Sequence, residues 1–413
     1  MRKKTVFAGL ALAVGSAGCG AQKEQGQESD GQESGMTEEE LEEARARIRE
    51  IYDVDSQSAV REELDAEKGE KQYTADDMLV EYDPFGTNTQ SLYVYFQTET
   101  PVSVSCTVHV EDEDIPDYTQ QLTEDGSYLL EHEYQVIGLV PDMENEITFT
   151  LAETDGQTEE QTITYEMGSL LGQEAVQLET EERDSGEEQE EGLYVVLGND
   201  SDGLDFMYYY DNSGVLRGEV PIIGYRSHRL LFSEEGMYFS ISDTEMARMD
   251  ELGQVTAVYD LGQYELHHDY VFDDDGNIRL LATDTEQDSV EDESLPEGQY
   301  YLYMFNNNIG VSETRPDFDW RVIDGIQSEA VDGTTSYYYK YLVDETAGSY
   351  ELVERFEVPY SGYVSSVQEI GVHVVADSGM QGIWGEYDSE DDLIRSFTME
   401  KESFIYRVYK YGL

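Results

Sequence analysis

The chain has 413 residues and a formal net charge of -68, from 92 Asp and Glu against 24 Lys and Arg. This charge argues against nucleic-acid binding, because phosphate binding requires a basic face, and any anion site would need its own local donors. The length leaves room for two or three domains, and 32 Tyr and 36 Gly with only 8 Pro favour many short strands and tight turns over helices.

Residues 1–19 have the pattern of a lipoprotein signal peptide. Arg2-Lys3-Lys4 precede an apolar run from Val6 to Val14 that is too short to span a bilayer, and small residues then lead to Cys19. Cys19 resembles the lipid-modified cysteine of a bacterial lipoprotein, although Ser16 stands where that signal usually has Leu. We expect export and a lipid anchor at Cys19, on the outer face of the bacterial cytoplasmic membrane. Cleavage and release is the alternative.

Residues 20–77 are predicted to form a disordered tether and a short helix. The tether extends to about residue 36, where Gln, Glu, Gly and Ser recur without an apolar period. Thr37 and Glu40 form a capping box, which predicts that a spacer helix begins there. The polar stretch 52–77 carries no pattern that indicates a structure.

Residues 78–170 alternate between apolar and polar positions, which predicts an N-terminal β-sandwich of the fibronectin or immunoglobulin type. The alternation is clearest over residues 92–96, 102–110 and 147–151. Cys106 lies on an apolar strand face, so we expect a packed core thiol. His109 and His132 lie on or beside polar faces and are expected at the surface.

Residues 192–413 are predicted to form a β-propeller. Hairpin turns occur in two pairs, at residues 211–214 and 250–253 and at Asp344 and Asp388. Within each pair the turns are about forty residues apart, which is the period of a propeller blade. A set of unrelated hairpins is the alternative. The Glu-rich stretch 179–191 has no apolar anchor and is interpreted as an interdomain linker or an exposed loop.

Several segments of the chain resemble the bacterial aryl-sulfate sulfotransferases. The clearest are His267-His268-Asp269-Tyr270 and the stretch Tyr225-Arg226-Ser227-His228-Arg229; the others are residues 83–86, 247–255, 300–308 and 385–409. The resemblance implies an exported six-bladed propeller that moves a sulfuryl group from an aryl sulfate to a phenol. A histidine carries the group in transit, with no nucleotide sulfate donor and no other cofactor.

The chain departs from that family pattern after His268. The family's other site residues are a histidine followed by Asn-Ser, an arginine in a Ser-Ser-Arg strand and a nucleophilic histidine after Gln, and none of these motifs occurs here. An internal deletion near Asp292, which removes two to three of the six blades, explains both the missing motifs and the short length. A shortened propeller must close with fewer blades, stay open, or pair with another chain, for example as a homodimer.

Four residues are the candidates for the functional site. We predict His267 and His268 as catalytic residues, with one of them in the channel; the alternative is that one packs on a neighbouring blade and the other faces solvent. His228 and Arg226 are candidate substrate contacts, and the alternative is a strand residue beside solvated arginines. No metal is expected, since adjacent histidines on a strand point to opposite faces.

Two functions follow from these features. The first is an aryl-sulfate sulfotransferase that acts on aryl sulfates and phenols and is weak or inactive, because the nucleophilic histidine is missing. The alternative is a non-catalytic surface lipoprotein whose propeller binds a ligand or a partner.

Overall fold

The computed structural model describes residues 37–172, 174–182, 185, 187–198, 203–224, 226–262, 266–272, 276–282, 299–307, 335–344, 347–362, 364–401 and 404–412. The predicted signal peptide, Cys19 and the tether lie outside these residues. The all-β class is confirmed: two helices, α1 (Glu38–Ile51) and α2 (Val54–Lys68), precede strands that run to the end of the described chain.

The helix α1 begins at the predicted capping box and packs against the propeller. The Thr37 hydroxyl accepts from the Glu40 amide at 3.3 Å, and the Glu40 carboxylate accepts from the Thr37 amide at 2.8 Å. Ile48 is only 2% exposed in the core shared with the propeller strands. Immediately after the helix, the Tyr52 hydroxyl donates to the Pro221 carbonyl at 2.6 Å. The helix therefore contributes to the core rather than acting as a free spacer.

The helix α2 lies in the polar stretch whose sequence carries no structural pattern. Asp53 caps its start, and Leu64 is buried against the sandwich. The Gln57 amide group donates to the Phe85 carbonyl at 2.9 Å and accepts from the Val255 amide at 3.0 Å. This buried side chain therefore joins the helix, the sandwich and the propeller.

The N-terminal sandwich is built around one long strand. Its strands are β1 (Leu79–Tyr82), β2 (Ser91–His109), β3 (Tyr118–Gln121), β4 (Leu129–Ile137), β5 (Glu144–Glu153) and β6 (Thr158–Glu166). The first half of β2 pairs with β1 and β4, and its second half pairs with β3 and β5. Two apolar stretches of the sequence are thus a single strand that contributes to both layers. Cys106 is fully buried, and burial raises the pKa of its thiol to about 12, as expected of a core thiol.

The predicted surface position of His132 is wrong. The side chain is fully buried, its ring stacks on Phe96 with centroids 4.6 Å apart, and Nδ1 lies 3.0 Å from the Tyr134 hydroxyl. Burial lowers the pKa of His132 to about 4, so the ring is neutral in the core. The acidic neighbours that suggested a polar position lie on the opposite face of β4, as successive strand residues must. His109 is half exposed beside Asp117, as expected.

Five further sheets follow in the described part of the chain, here called propeller sheets 1 to 5. Sheet 1 consists of β8 (Leu193–Val196), β9 (Asp205–Tyr210), β10 (Leu216–Ile222) and the last strand, β24 (Val408–Tyr411). Sheet 2 consists of β11 (Leu231–Ser233), β12 (Gly236–Ser240), β13 (Glu245–Met249) and β14 (Val255–Asp260). The antiparallel hairpins predicted at 211–214 and 250–253 are confirmed.

Sheets 3 and 4 have fewer strands in the described part of the chain. Sheet 3 is the hairpin β15 (Leu266–Phe272) and β16 (Ile278–Ala282); sheet 4 is β17 (Gln299–Asn306), β18 (Thr335–Asp344) and β19 (Ser349–Pro359). Sheet 5 contains β20 (Ser365–Ile370), β21 (His373–Ser378), β22 (Ile383–Tyr387), β23 (Leu393–Thr398) and β7 (Glu179–Glu182). Asp292, where the deletion was predicted, lies outside the described residues.

The two ends of this region meet where sheets 1 and 5 adjoin. The C-terminal β24 pairs with β8 of sheet 1, while β7, from the stretch interpreted as a linker, pairs with β23 of sheet 5. Sheets 1, 2 and 5 share one core cluster; smaller clusters join sheet 2 to sheet 3 and sheet 4 to sheet 5. Among the described residues, none of these clusters joins sheet 3 to sheet 4. The linker interpretation is thus wrong for residues 179–182.

Candidate functional site

The predicted histidine pair lies on β15, the strand of sheet 3 that follows sheet 2. The side chains of His267 and His268 lie outside the described part of the structure, which fixes only their place on the strand. Their catalytic role therefore stays a prediction. The next two residues of the motif, Asp269 and Tyr270, are described, and they organise the surrounding cluster.

Asp269 binds two arginines from different parts of the chain. The Arg229 guanidinium donates from Nε to Oδ1 at 2.8 Å and from Nη2 to Oδ2 at 2.9 Å, a bidentate pair. Nη1 of Arg407 lies 3.5 Å from Oδ2. Arg229 lies two residues before β11, Arg407 immediately precedes β24, and Asp269 is on β15. These are edge strands of sheets 2, 1 and 3, so the cluster lies where three sheets converge.

Tyr270 connects the same segments beneath the ion pairs. Its hydroxyl donates to the Arg229 carbonyl and accepts from the Ser240 amide at 2.9 Å. The hydroxyl also lies 3.4 Å from the Ser227 hydroxyl, and the whole side chain is buried. Because these contacts fix the backbone on both sides of His228, the position of Arg229 depends on the motif tyrosine.

His228, one of the predicted substrate contacts, is buried within this cluster. Only 1% of the residue is exposed. Its Nδ1 lies 3.3 Å from the Ser240 hydroxyl, its ring meets Tyr406 edge to face at 5.7 Å, and its carbonyl accepts from Arg407 at 3.3 Å. Through these contacts His228 holds its neighbours in place.

Arg226, the other predicted substrate contact, lies against aromatic rings. Its guanidinium is 4.1 Å from the Tyr406 ring centroid and 5.4 Å from that of Phe404. Arg229 similarly lies 5.2 Å from the Tyr409 ring centroid. A guanidinium over an aromatic face is weakly hydrated and keeps its charge, so these arginines are suited to bind an oxyanion.

The charges of the cluster stabilise one another. Burial alone would raise the pKa of Asp269, but the hydrogen bonds and charge of Arg229, and the charge of Arg407, outweigh it and hold that pKa below its ordinary value. Burial would lower the pKa of Arg229, and Asp269 raises it above its usual range. Two guanidiniums share one carboxylate, so a net positive charge remains in a strongly acidic chain. The arrangement can therefore attract an anion locally.

The structure does not bring His373 into this cluster. His373 begins β21, where its Nδ1 lies 2.8 Å from Glu386 and its Nε2 lies 3.1 Å from Glu187. Lys410 completes that group, with Nζ 2.7 Å from Glu386. In the described part of the chain no group of three or more His, Cys, Asp or Glu side chains is placed to hold a metal ion.

Sequence reasoning included Arg229, Asp269 and Arg407 only as parts of longer matching segments. Their pairing could not be predicted, because it joins residues 40 positions apart in one case and 138 positions apart in the other. A pocket of about 310 Å³ elsewhere, between sheet 5 and the end of β19 in sheet 4, is lined by Trp384, Tyr387 and Pro359, among others, and not by the cluster.

Family models match most of the chain. Residues 79–168 match the model described as the arylsulfotransferase Ig-like domain. Residues 178–295 and 293–407 match the model described as arylsulfotransferase (ASST), which thus covers more than half of the chain. The chain belongs to the arylsulfotransferase family. The resemblance seen in the sequence is confirmed, and in this arylsulfotransferase family member the second match is divided at residues 293–295, adjacent to Asp292.

No match was found among curated proteins. Among solved structures, a Bacteroides fragilis protein named as a 6-phosphogluconolactonase is 11% identical, with a TM-score of 0.28, over 76% of this chain and 99% of that one. Apo AztD from Citrobacter koseri is 10% identical, with a TM-score of 0.18, over 75% and 99%. Sqt1 from Saccharomyces cerevisiae is 8% identical, with a TM-score of 0.19, over 78% and 84%. Likenesses at this level carry no inference about the family member's function.

Within the residues that the structure describes, no helix is long and apolar enough to cross a bilayer.

Proposed function

We propose that this arylsulfotransferase family member binds aryl sulfates at the cluster formed by Arg229, Arg407 and Asp269, and that it transfers the sulfuryl group weakly or not at all. The observation that carries the proposal is the pair of arginines held by one carboxylate at converging edge strands. Family membership supplies the ligand class.

The accessible arginine is the expected contact for the sulfate. The Arg229 side chain is 38% exposed and that of Arg407 is 16% exposed, so a ligand oxygen can approach the first more readily. Both guanidiniums lie near the ring of Tyr409, which is buried and supports them from the core side. A bound sulfate must compete with Asp269 for one of the arginine N–H donors. This competition limits the affinity for the aryl sulfate.

Transfer of the sulfuryl group requires an accessible imidazole, and the described residues of this cluster provide none. The reaction breaks the bond between sulfur and the phenolic oxygen, forms a bond between sulfur and an imidazole nitrogen, and then passes the sulfuryl group to an acceptor phenolate. The departing phenolate must be stabilised by nearby cations. His228 is buried, and the family's nucleophilic histidine after Gln is absent from the sequence. His267 and His268 are the remaining candidates for the nucleophile. We expect little or no turnover because the family's nucleophilic histidine is missing.

Binding and turnover can be measured on the same protein. We expect calorimetric titration with phenyl sulfate to show binding that weakens about tenfold in Arg229→Gln, since a lost charged hydrogen bond of about 1.4 kcal/mol changes affinity tenfold. Arg248→Gln is the control, because Arg248 pairs with Glu235 on sheet 2 and not with the cluster. Equal binding by wild type and Arg229→Gln would contradict the proposed site.

Turnover is followed with 4-nitrophenyl sulfate as donor and phenol as acceptor. We expect little or no release of nitrophenolate. Steady turnover that is abolished in His267→Ala or His268→Ala would overturn the proposal of weak activity. Binding without turnover supports the alternative, a non-catalytic surface lipoprotein, and the burial of His228 favours that alternative over full activity.

Export and lipid anchoring at Cys19 are part of the same proposal, based on the pattern of residues 1–19. In a bacterial host, the wild-type chain should partition with membranes and take up labelled palmitate, and Cys19→Ser should do neither. A wild-type chain found only in the soluble fraction would contradict the anchor. Sedimentation at several protein concentrations tests the predicted homodimer.

A further inference from the structure

A buried carboxylate on sheet 5 lies outside the cluster of Arg229, Arg407 and Asp269. Asp377 is on β21 and is completely buried. Neither of its carboxylate oxygens has a hydrogen-bond partner among the described residues. An isolated buried carboxylate is costly by several kcal/mol unless it is neutral or faces a cation. Its place in the fold therefore requires a reason.

The strand register places Asp377 on the side of sheet 5 that faces sheet 1. It is directly opposite Ser366 on β20 and Trp384 on β22, and directly opposed residues share a sheet face. The Ser366 hydroxyl donates to the Val408 carbonyl and accepts from the Val408 amide, both at 3.2 Å. Asp377 is therefore on the face that contacts β24, next to the residue that follows Arg407.

Within the described residues, Arg407 is the group whose charge lowers the pKa of Asp377. Burial raises the pKa of Asp377 well above its ordinary value, and Arg407 opposes that rise only in part. The other ionisable groups that the structure describes on this face of sheet 5 are His373, Glu386 and Arg395. His373 and, from β24, Lys410 both bond to Glu386, while Arg395 donates to the Asn212 carbonyl. Across Arg407, on β15, Asp269 is the remaining carboxylate of the cluster.

We propose that Asp377 is a positioning residue of the anion site, acting through Arg407 from the side of sheet 5. In its neutral form it leaves the positive charge of Arg407 to the bound anion. In its ionised form it competes with the anion for that charge. The proposal rests on the proposed anion site, and it adds a fourth sheet to that site.

The test compares the pH dependence of phenyl sulfate affinity in the wild-type chain and in Asp377→Asn. The sulfate ester and the arginines keep their charges over the range in which the protein stays folded, so a change in affinity reports neighbouring groups. We expect the affinity of the wild type to fall about fivefold as pH rises, and that fall to be absent in Asp377→Asn. Asp392→Asn, an exposed turn residue of sheet 5, should retain the wild-type profile.

Circular dichroism and a second variant distinguish the effect of the lost carboxylate from an effect of misfolding. Asp377→Ser also removes the ionisable group, and it should give the same flat profile if the charge is what matters. Identical pH profiles in wild type, Asp377→Asn and Asp377→Ser would overturn the proposal while leaving the anion site in place. If the wild type binds no phenyl sulfate at any pH, the proposed function fails and the role of Asp377 at that site fails with it.

Discussion

Asp269 shows how one side chain can assemble a site from distant segments. Its two oxygens bind Arg229 bidentately and reach Arg407, while its own backbone lies on β15 of sheet 3. At 30% exposure the carboxylate is only partly shielded from water, so its ion pairs should contribute an amount between that of exposed and buried pairs.

We expect Asp269→Asn to reduce the free energy of unfolding by roughly 1–2 kcal/mol near neutral pH. Because the pKa of Asp269 is lowered by its arginine partners, its contribution is present above the unfolded value of about 3.9 and is lost as pH falls through the folded value. Urea unfolding over a series of acidic buffers measures the difference. It should shrink on the acid side, whereas the exposed control Asp392→Asn should stay close to wild type throughout.

For single residues, the sequence predicts burial better than it predicts the contact partners of a side chain. The position of Cys106 followed from the alternation of β2, and the capping box at Thr37 followed from two residues three positions apart. His132 was misplaced because its polar neighbours concealed a core-facing position. The partners of Arg407 and the burial of Asp377 depend on contacts between strands that no local pattern contains.

At the scale of strands, a buried ionic group joins β24 to sheet 5. Glu386 on β22 is fully buried and accepts hydrogen bonds from the Lys410 ammonium at 2.7 Å, the Tyr194 hydroxyl and the Glu190 amide at 2.8 Å. Burial would raise the pKa of Glu386, but Lys410 and the other donors hold it below its ordinary value. His373 connects this group to Glu187 in the acidic stretch.

Removing the cation alone should be strongly destabilising. We expect Lys410→Met to lower the free energy of unfolding by about 3–5 kcal/mol, because Glu386 would remain buried without its main counter-charge. The double variant Lys410→Met with Glu386→Gln should recover part of that loss. Denaturant unfolding of the two single variants and the double variant measures the coupling. A Lys410→Met chain as stable as wild type would contradict the assigned role.

The imidazole of His373 should make this connection depend on pH. Burial lowers its pKa, but Glu386 and Glu187 outweigh burial and raise it. The stabilisation is therefore complete below the unfolded value of about 6.5 and is lost as pH rises through the folded value. We expect His373→Asn to cost about 2 kcal/mol on the acid side and less in alkali, measured by urea unfolding. His109→Asn, on an exposed strand position, should show a much smaller change.

Strand pairing over long distances is the part of the fold that local sequence patterns predict least well. The hairpins at 211–214 and 250–253 were predictable because their strands are neighbours along the chain. The pairing of β7 with β23 joins residues that are more than 200 positions apart, and the acidic composition of β7 suggests a solvated linker. An edge strand can be acidic because only one of its sides pairs.

For the whole molecule, the C-terminal strand should be essential to the propeller. Deleting residues 408–413 removes β24, leaves β8 without a partner at that edge and exposes the core that Val408 and Tyr409 cover. The loss of two large apolar side chains alone amounts to about 3–6 kcal/mol. We expect limited proteolysis to degrade the propeller of this variant while a sandwich fragment around 79–168 survives, because the sandwich has its own core.

The matched control for this truncation is deletion of residues 412–413 alone, which leaves β24 intact. That shorter deletion should leave the proteolysis pattern unchanged. Equal resistance of both truncated chains would show that β24 is dispensable for closure.

The position of the junction between sheets 1 and 5 has a consequence for how such chains change in length. Both strands that make the junction, β7 and β24, come from the ends of the propeller region, whereas the deletion that we infer near Asp292 lies in its middle. Gain or loss of internal repeats leaves the junction and Arg407 beside it untouched. Members of the family could therefore differ in repeat number and still share the ends that carry β7, β24 and Arg407.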